Sequence, residues 1–347
     1  MFVRKVRVSA SLVAFLVGYS VCAFAEAQRK DESAKSANAA VFSHAAMAAE
    51  FSISMYPPSA AVTPEELERI ADEAFAAIDD LEARISNWKD SSQISYMNRH
   101  AAEGPVKAAP DIIALLEACV WASKETDGRF DITVGPLLEL WGFYEKQGTQ
   151  PDPDAIEEAR KCVGMDKVHI DPIEMTVEFE QQGMRLDMGG IGKGAAVDVA
   201  AQVLRRNGIT SALVDGGSSS MVAIGHPPGE NHWTVHIRNP YNNDELLDAV
   251  PLTNASLSTA GCHDKMLEAN GVRYCHILDP QSGKPVIGAL SISVIAQTGT
   301  ETDGLDTGFV VWPKERLEKY CREHPDVKVI YVGVPSDGAP KAQRINF

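Results

Sequence analysis

Residues 167–208 read KVHIDPIEMTVEFEQQGMRLDMGGIGKGAAVDVAAQVLRRNG. Two short runs with β propensity, 167–170 and 175–179, flank the turn dipeptide Asp171-Pro172 and so predict a hairpin. The glycine-rich turn Gly189-Gly190-Ile191-Gly192 then leads into a helix over 193–207, and Gly208 stands as its C-cap. A hairpin followed directly by a helix departs from strict strand–helix–strand alternation. Further strand-like runs recur at 212–214, 233–237, 274–278, 290–296 and 327–332. Helices over 302–311 and 313–324 separate the last pair. This mixture predicts an α+β fold and argues against a doubly wound sheet. No internal repeat is present.

Working back towards the N-terminus, Thr63-Pro64-Glu65-Glu66 is a capping box with proline at the first helical position. Leu67, Ile70, Ala74, Ile78, Leu81 and Ile85 follow at helical spacing, which predicts a structural helix with one apolar face. A second helix starts near Pro110 and carries Ile112, Leu115, Leu116, Cys119 and Val120. The stretch 148–154, with two prolines, is expected as a surface connection.

The first 25 residues are read as a signal peptide. Arg4, Lys5 and Arg7 form a basic start, 8–22 is an apolar run, and Ala23-Phe24-Ala25 is an A-x-A cleavage site. The apolar run is short for a membrane span. Cys22 lacks the small preceding residues of a lipidation site, so lipidation is not expected. Residues 26–40, small and polar, are read as a flexible linker, and 41–347 as one domain. The expectation is an exported, periplasmic protein with no transmembrane segment after cleavage. Cleavage would leave Cys119, Cys162, Cys262, Cys275 and Cys321, an odd set, so at least one thiol stays free or pairs outside the chain. Cys119, on an apolar helix face, reads as a buried thiol.

The 347 residues carry a formal charge of −16, and removing the basic leader makes the remainder more acidic. That balance excludes a nucleic-acid wrapper or a protein held on anionic lipid. An anionic ligand would need a bridging metal or helix amides.

Four stretches could carry chemistry. In Leu186-Asp187-Met188-Gly189-Gly190-Ile191-Gly192-Lys193-Gly194, glycines before a helix N-terminus would let backbone amides approach a phosphate, with Asp198 one turn further on. The stretch is neither a Walker A loop nor GxGxxG, and a tight strand-to-helix turn explains it equally. In Glu301-Thr302-Asp303-Gly304-Leu305-Asp306-Thr307, Asp303 and Thr307 share a helix face. With a free carbonyl and phosphate oxygens they would make a hard-oxygen site suited to Mg²⁺; the bland alternative is a capped, solvated helix start. In 274–285, His276 sits near a strand end where a general base could be presented, or is simply a structural histidine. Cys262-His263 and Cys275-His276 lack zinc-ligand spacing. In 128–143, apolar residues, glycine and aromatics could wall a planar ligand or form a core loop.

Taken together and in this order, the four stretches resemble the ApbE family of FAD:protein FMN transferases. The family reads roughly FDxTVGPLxxLWGF, DxGGIAKGxxxD, a GG-containing strand end, TSGxY, HIxDPxTGxP and ADxxxTA. Here the matching residues are Phe130-Asp131-Ile132-Thr133-Val134-Gly135-Pro136, Asp187 to Gly194, Val214-Asp215-Gly216-Gly217, Thr259-Ala260-Gly261, His276-Ile277-Leu278-Asp279-Pro280, and Thr302-Asp303 to Thr307-Gly308. Ser86-Asn87-Trp88, Ser92 and Asn98 look like an upstream family segment, and Met47 lies at its MGT start. The resemblance covers about 41–335.

The resemblance implies a single flavin transferase fold with mixed sheets and flanking helices around an FAD cleft. It implies FAD as substrate, Mg²⁺ at the pyrophosphate, transfer of FMN to a Thr or Ser hydroxyl of an acceptor flavoprotein subunit of a redox complex, and release of AMP. The matching metal ligands would be Asp303, Thr307 and the main-chain carbonyl of Gly190. The matching flavin contacts would be Met47, Trp88, Arg129, Phe130, Asp131, Asp187, Lys193 and Leu278. His276 is the candidate base for the acceptor hydroxyl, and Asp306 a second candidate. Two departures touch acceptor or adenine-side contacts: Thr259-Ala260-Gly261-Cys262-His263 replaces TSGxY, and Gly217-Ser218-Ser219 replaces GGD. The family's acceptor motif, D-x-x-S/T-G-A-T, is absent from this chain, so a separate acceptor is expected. The alternatives are an FAD pyrophosphatase using the same residues and a non-catalytic flavin-binding accessory protein.

Overall fold

The computed structural model describes residues 39–145, 148–262, 266–269, 271–286, 291–333 and 338–347. The stretch 1–25 read as a signal peptide, with Cys22, residues 26–38 of the expected linker and His263 lie outside the described residues. In chain order the elements are β1 (Ala40–Ala46), β2 (Ala49–Met55), α1 (Pro64–Ile85), α2 (Gln93–His100), β3 (Val106–Lys107), α3 (Pro110–Glu125), α4 (Gly135–Leu140), α5 (Pro153–Arg160), β4 (Val168–Asp171) and β5 (Thr176–Phe179). There follow α6 (Gly192–Arg206), β6 (Ala212–Gly216), β7 (Ser220–Ile224), β8 (Trp233–Asn239), β9 (Asn242–Leu252), β10 (Ser256–Gly261), β11 (Met266–Ala269), β12 (Val272–Cys275), β13 (Leu278–Asp279) and β14 (Lys284–Pro285). The chain closes with β15 (Ser291–Ala296), α7 (Gly299–Phe309), α8 (Lys314–Glu323), β16 (Lys328–Gly333) and β17 (Lys341–Ile345).

Eight strands form one antiparallel sheet in the order β1-β2-β6-β7-β10-β15-β16-β17. Helix α7 lies against β10 and β15, and α6 packs between α7 and α1. The predicted hairpin is β4–β5, and β3 joins it in a three-stranded sheet. Its turn is closed by Asp171, whose Oδ1 accepts from the amides of Ile173 and Glu174. Thr63 caps α1 as its sequence indicates, accepting from the Glu66 amide. No helix of the described residues is long and apolar enough to cross a membrane.

Three differences from the sequence reading have physical causes. The β1–β2 hairpin was not expected: its turn residues Met47 and Ala48 hold φ of 49° and 56° without the glycine or asparagine that marks such turns. Strand β7 was missed because all its residues are buried, so no alternation marks it. The single strand expected over 274–278 is broken at His276, between β12 and β13. Just before the break, Cys275 is tied to Cys262 by a disulfide. Cys119 and Cys321 are buried free thiols and Cys162 a half-buried one. Burial pushes the Cys119 thiol far up and that of Cys321 to about 11, so neither ionises near neutrality.

Candidate active site

Helix α7 carries Asp303 and Thr307, which the sequence places on one helix face, and Asp306 between them. It is not a solvated helix start. Gly304 and Gly308 leave room for Ala122 of α3 and Thr126 at its C-terminal cap to pack against it, so Asp303 is 6% and Asp306 1% exposed. The helix is aimed by Asp198 of α6. Its Oδ1 accepts from the Gly299 amide (2.7 Å), and its Oδ2 from the amide and hydroxyl of Thr300 (2.8 and 2.7 Å). Thr298 caps the same end, accepting from the Glu301 amide.

Asp303 is held from two sides. Its Oδ2 accepts from the Gly194 amide at the start of α6 (2.8 Å), and its Oδ1 from the Ser220 hydroxyl of β7 (3.1 Å). One turn on, the Thr307 hydroxyl lies 3.4 Å from the Gly190 carbonyl oxygen and 3.2 Å from Asp306 Oδ1. Asp306 Oδ2 is buried and has no hydrogen-bond partner among the described residues. Burial pushes both carboxyls above the ordinary carboxylate range, Asp306 the further because the Asp303 charge adds to its burial. Lys193 opposes both shifts; its ammonium donates to the Ser219 hydroxyl. Gly190, Lys193, Asp303, Asp306 and Thr307 are therefore brought together.

The glycine-rich turn is shared with a second group. Asp187 Oδ1 accepts from the Gly189 amide, and its Oδ2 from Asn87 Nδ2 (3.0 Å) and the Tyr144 hydroxyl (2.8 Å). Asn87 and Asn98 both donate to the Leu186 carbonyl. Trp88 is 68% exposed and meets the Tyr144 ring edge-on at 5.6 Å, while the Arg185 guanidinium covers that ring. Proximity to Asp187 and burial push the Tyr144 phenol up, with burial the larger cause.

A third group carries the histidine. Arg129 pairs with Asp279 Oδ1 at 2.6 Å, Gln281 Nε2 donates to the Asp127 carbonyl, and Trp141 Nε1 donates to the Gly283 carbonyl. Leu278 is buried with Leu137, Trp141 and Ile156. The 128–143 stretch thus packs on the turn that follows His276, which is itself half-buried. It also reaches the carboxylates: a Cβ at Gly190 would meet the Phe130 ring at 3.4 Å and Thr307 Cγ2 at 3.2 Å.

The remaining predicted residues fall as follows. Phe130 is 2% exposed. Asp131 is buried with Oδ1 accepting from the Thr133 amide and hydroxyl and Oδ2 from the Met165 amide. Its side chain thereby ties its own loop to the segment at Met165. Met47 sits in the β1–β2 turn. That turn borders the β6–β7 turn, since a Cβ at Gly217 would lie 2.7 Å from that of Ala49. Sequence reasoning named Asp198 beside the glycine-rich turn but not its hold on α7, and did not single out Tyr144 or Ser220. Tyr144 follows Trp141-Gly142-Phe143 by one residue and could have been found there. Ser220 lies in a serine run with no distinguishing signal.

The chain matches the model of the ApbE family over residues 47–331. The FAD:protein FMN transferase of Treponema pallidum is 30% identical over 282 residues, covering 77% of this chain and 78% of that protein. The enzyme of the same name from Haemophilus influenzae is 31% identical over 260 residues, covering 72% and 75%. Among solved structures, the ApbE protein of Thermotoga maritima superposes with a TM-score of 0.77 at 28% identity, covering 88% of this chain and 97% of that one. The apo flavinyl transferase ApbE of Pseudomonas stutzeri gives 0.78 at 25% identity, covering 89% and 95%.

Proposed function

The chain belongs to the ApbE family, and on that premise we propose that it transfers FMN from FAD to a Thr or Ser hydroxyl of an acceptor flavoprotein, releasing AMP. The observation that carries the reading is the donor set at the Gly190 turn. Asp306 has one buried carboxylate oxygen without a partner, Oδ2; its Oδ1 meets the Thr307 hydroxyl, which also faces the Gly190 carbonyl, and the Asp303 charge reaches the same carboxyl. Buried oxygens of this kind call for a partner, and all four donors are hard. They fit a Mg²⁺ ion, which Asp303, Thr307 and the Gly190 carbonyl would hold, with Asp306 alongside. When bound, Mg²⁺ supplies charge neutralisation at the pyrophosphate.

The chain's own residues do the rest. Lys193, placed by Ser219, adds a positive charge beside the phosphates in an otherwise acidic protein. Trp88 offers an exposed ring face for stacking. Phe130, Asp131 and Leu278, being buried, would shape the flavin wall through packing and main chain. Asp187, Arg129 and Met47 complete the contacts we assign to FAD. His276 takes the proton of the acceptor hydroxyl; the freed oxygen attacks the FMN phosphorus, the bond to the AMP phosphate breaks, and AMP leaves. Asp306, at 1% exposure, is better placed beside the cation than as a base for a protein acceptor.

The reading includes export to the periplasm, supported by the leader pattern in 1–25 and by a disulfide that suits an oxidising compartment. The test is incubation of the purified protein with FAD, Mg²⁺ and a peptide carrying D-x-x-T-G-A-T. A peptide mass gain equal to FMN, with AMP released and both lost in EDTA, is expected. AMP at the same rate without peptide would replace transfer by FAD hydrolysis. Asp303→Ala should abolish the metal-dependent turnover.

A further inference from the structure

The disulfide joins two residues 13 apart in sequence, with Cα atoms 4.9 Å apart. Cys262 follows directly on β10, which is paired on both edges, with β7 and with β15. Cys275 ends β12, is 3% exposed, and packs among Ala260, Ile277 and Ile292. The next residue is His276. Beyond it, the Ile277 amide donates to Cys275 Sγ, its carbonyl accepts from the Val286 amide (2.9 Å), and Leu278 pairs with Pro285. His276 is thus strung between a covalent anchor to the main sheet and a short β ladder.

We propose that Cys262 and Cys275 are positioning residues: their disulfide fixes His276 for transfer, and opening it slows the chemistry while leaving FAD binding intact. The proposal rests on the reading of His276 as the base. Strands β11 and β12 pair only with each other among the described residues, four residues against four. A two-stranded hairpin of that length is marginal without an external tie. The bridge is that tie, and it shortens the chain freedom of the segment that presents the histidine. The FAD contacts assigned above lie mostly on other segments, so binding is insulated from it. Displacing a reacting group by about 1 Å costs on the order of a hundredfold in rate.

Opening needs a dithiol reductant. Its thiolate attacks a protein sulfur, and Cys262, half-buried, is the more open of the two. The protein S–S bond breaks, an S–S bond forms in the reagent, and two electrons and two protons end on the cysteines.

The test compares kcat and FAD Kd for the full protein as isolated, after dithiothreitol, and after re-oxidation, using the D-x-x-T-G-A-T peptide as acceptor. C262S/C275S, H276A and C162S are measured alongside. Peptide mapping first establishes the 262–275 cross-link; its absence in air-oxidised protein overturns the proposal. Reduction and C262S/C275S should each lower kcat by about ten- to a hundredfold with FAD Kd within about twofold. Re-oxidation should restore the parent but not the double variant. H276A should be slow and indifferent to reductant, and C162S should behave as the parent. Unchanged kcat in reduced protein and C262S/C275S, with H276A slow, overturns the positioning role and keeps the base. Unchanged kcat in H276A removes the base instead. Parallel loss of kcat and FAD affinity on reduction identifies general loosening and also overturns the proposal.

Discussion

Gly194 and Gly299 meet backbone to backbone where α6 crosses α7: a Cβ on Gly194 would lie 2.1 Å from the Gly299 carbonyl oxygen, and one on Gly299 would lie 2.4 Å from that of Gly194. The same crossing brings the Gly194 amide to Asp303. Close approach of the helices and capture of the carboxylate are one arrangement. Gly194→Ala must push the helices apart, since backbone on the far side cannot give way. The expected cost is about 1–3 kcal/mol of stability, read as a lower urea midpoint, together with loss of Mg²⁺ binding in calorimetry.

Asp306→Asn should separate stability from function. The unpartnered Oδ2 of a buried carboxylate is a burden on the metal-free protein. The amide keeps the shape and can still accept from Thr307. In EDTA the variant should melt at or above the parent's temperature, and it should gain less from added Mg²⁺. A variant that melts lower in EDTA and gains the same from Mg²⁺ would place Asp306 outside the cation's reach.

His276→Ala is expected to lower kcat by about 10²–10⁴, the usual worth of a general base. FAD affinity, followed by flavin fluorescence, should hold. A change confined to affinity would assign the side chain to binding.

Trp88 is 68% exposed, so its removal should barely move the melting temperature. What it should change is FAD affinity. Trp88→Ala is expected to weaken binding by about 1 kcal/mol, roughly fivefold in Kd, if the indole stacks on a ring of the ligand. Equal affinities would leave only its contact with Tyr144.

Asp198 gives a pH prediction. Burial raises its carboxyl above the ordinary range, against the pull of the Thr300 and Gly299 donors. The folded state therefore holds this proton more tightly than the unfolded chain. Stability contributed through Asp198 is complete below the unfolded value, about 4, and declines as pH climbs through the raised one. The stability advantage of the parent over Asp198→Ala should shrink from pH 4 towards neutrality, as measured by urea unfolding at several pH values.

What was legible in the sequence was local. Thr63 with Glu66, Asp171-Pro172 and the glycines ahead of α6 each signal through neighbours a few residues away. Their elements stand within a few residues of the expected bounds. The spacing of Asp303 and Thr307 was equally readable, but their burial was not. It depends on Gly304 and Gly308 admitting Ala122 and Thr126 from a helix and its C-terminal cap far away in sequence. The partner of Cys275 was likewise hidden, because periodicity carries no pairing information. The β1–β2 turn was hidden because Met47 and Ala48 occupy a conformation that their residue types rarely announce.

The Gly190 carbonyl and the Thr307 hydroxyl are 117 residues apart in the chain. A ribosome making about 5–20 residues per second needs roughly 6–23 seconds to pass from one to the other. Until α7 has been made, the glycine-rich turn has no carboxylate helix to close on, whatever the N-terminal elements have folded into. The emerging polypeptide therefore gains the oxygen donors of the proposed cation site only once α7 has been made. A fragment ending before Gly299 would keep the turn and lose the reaction.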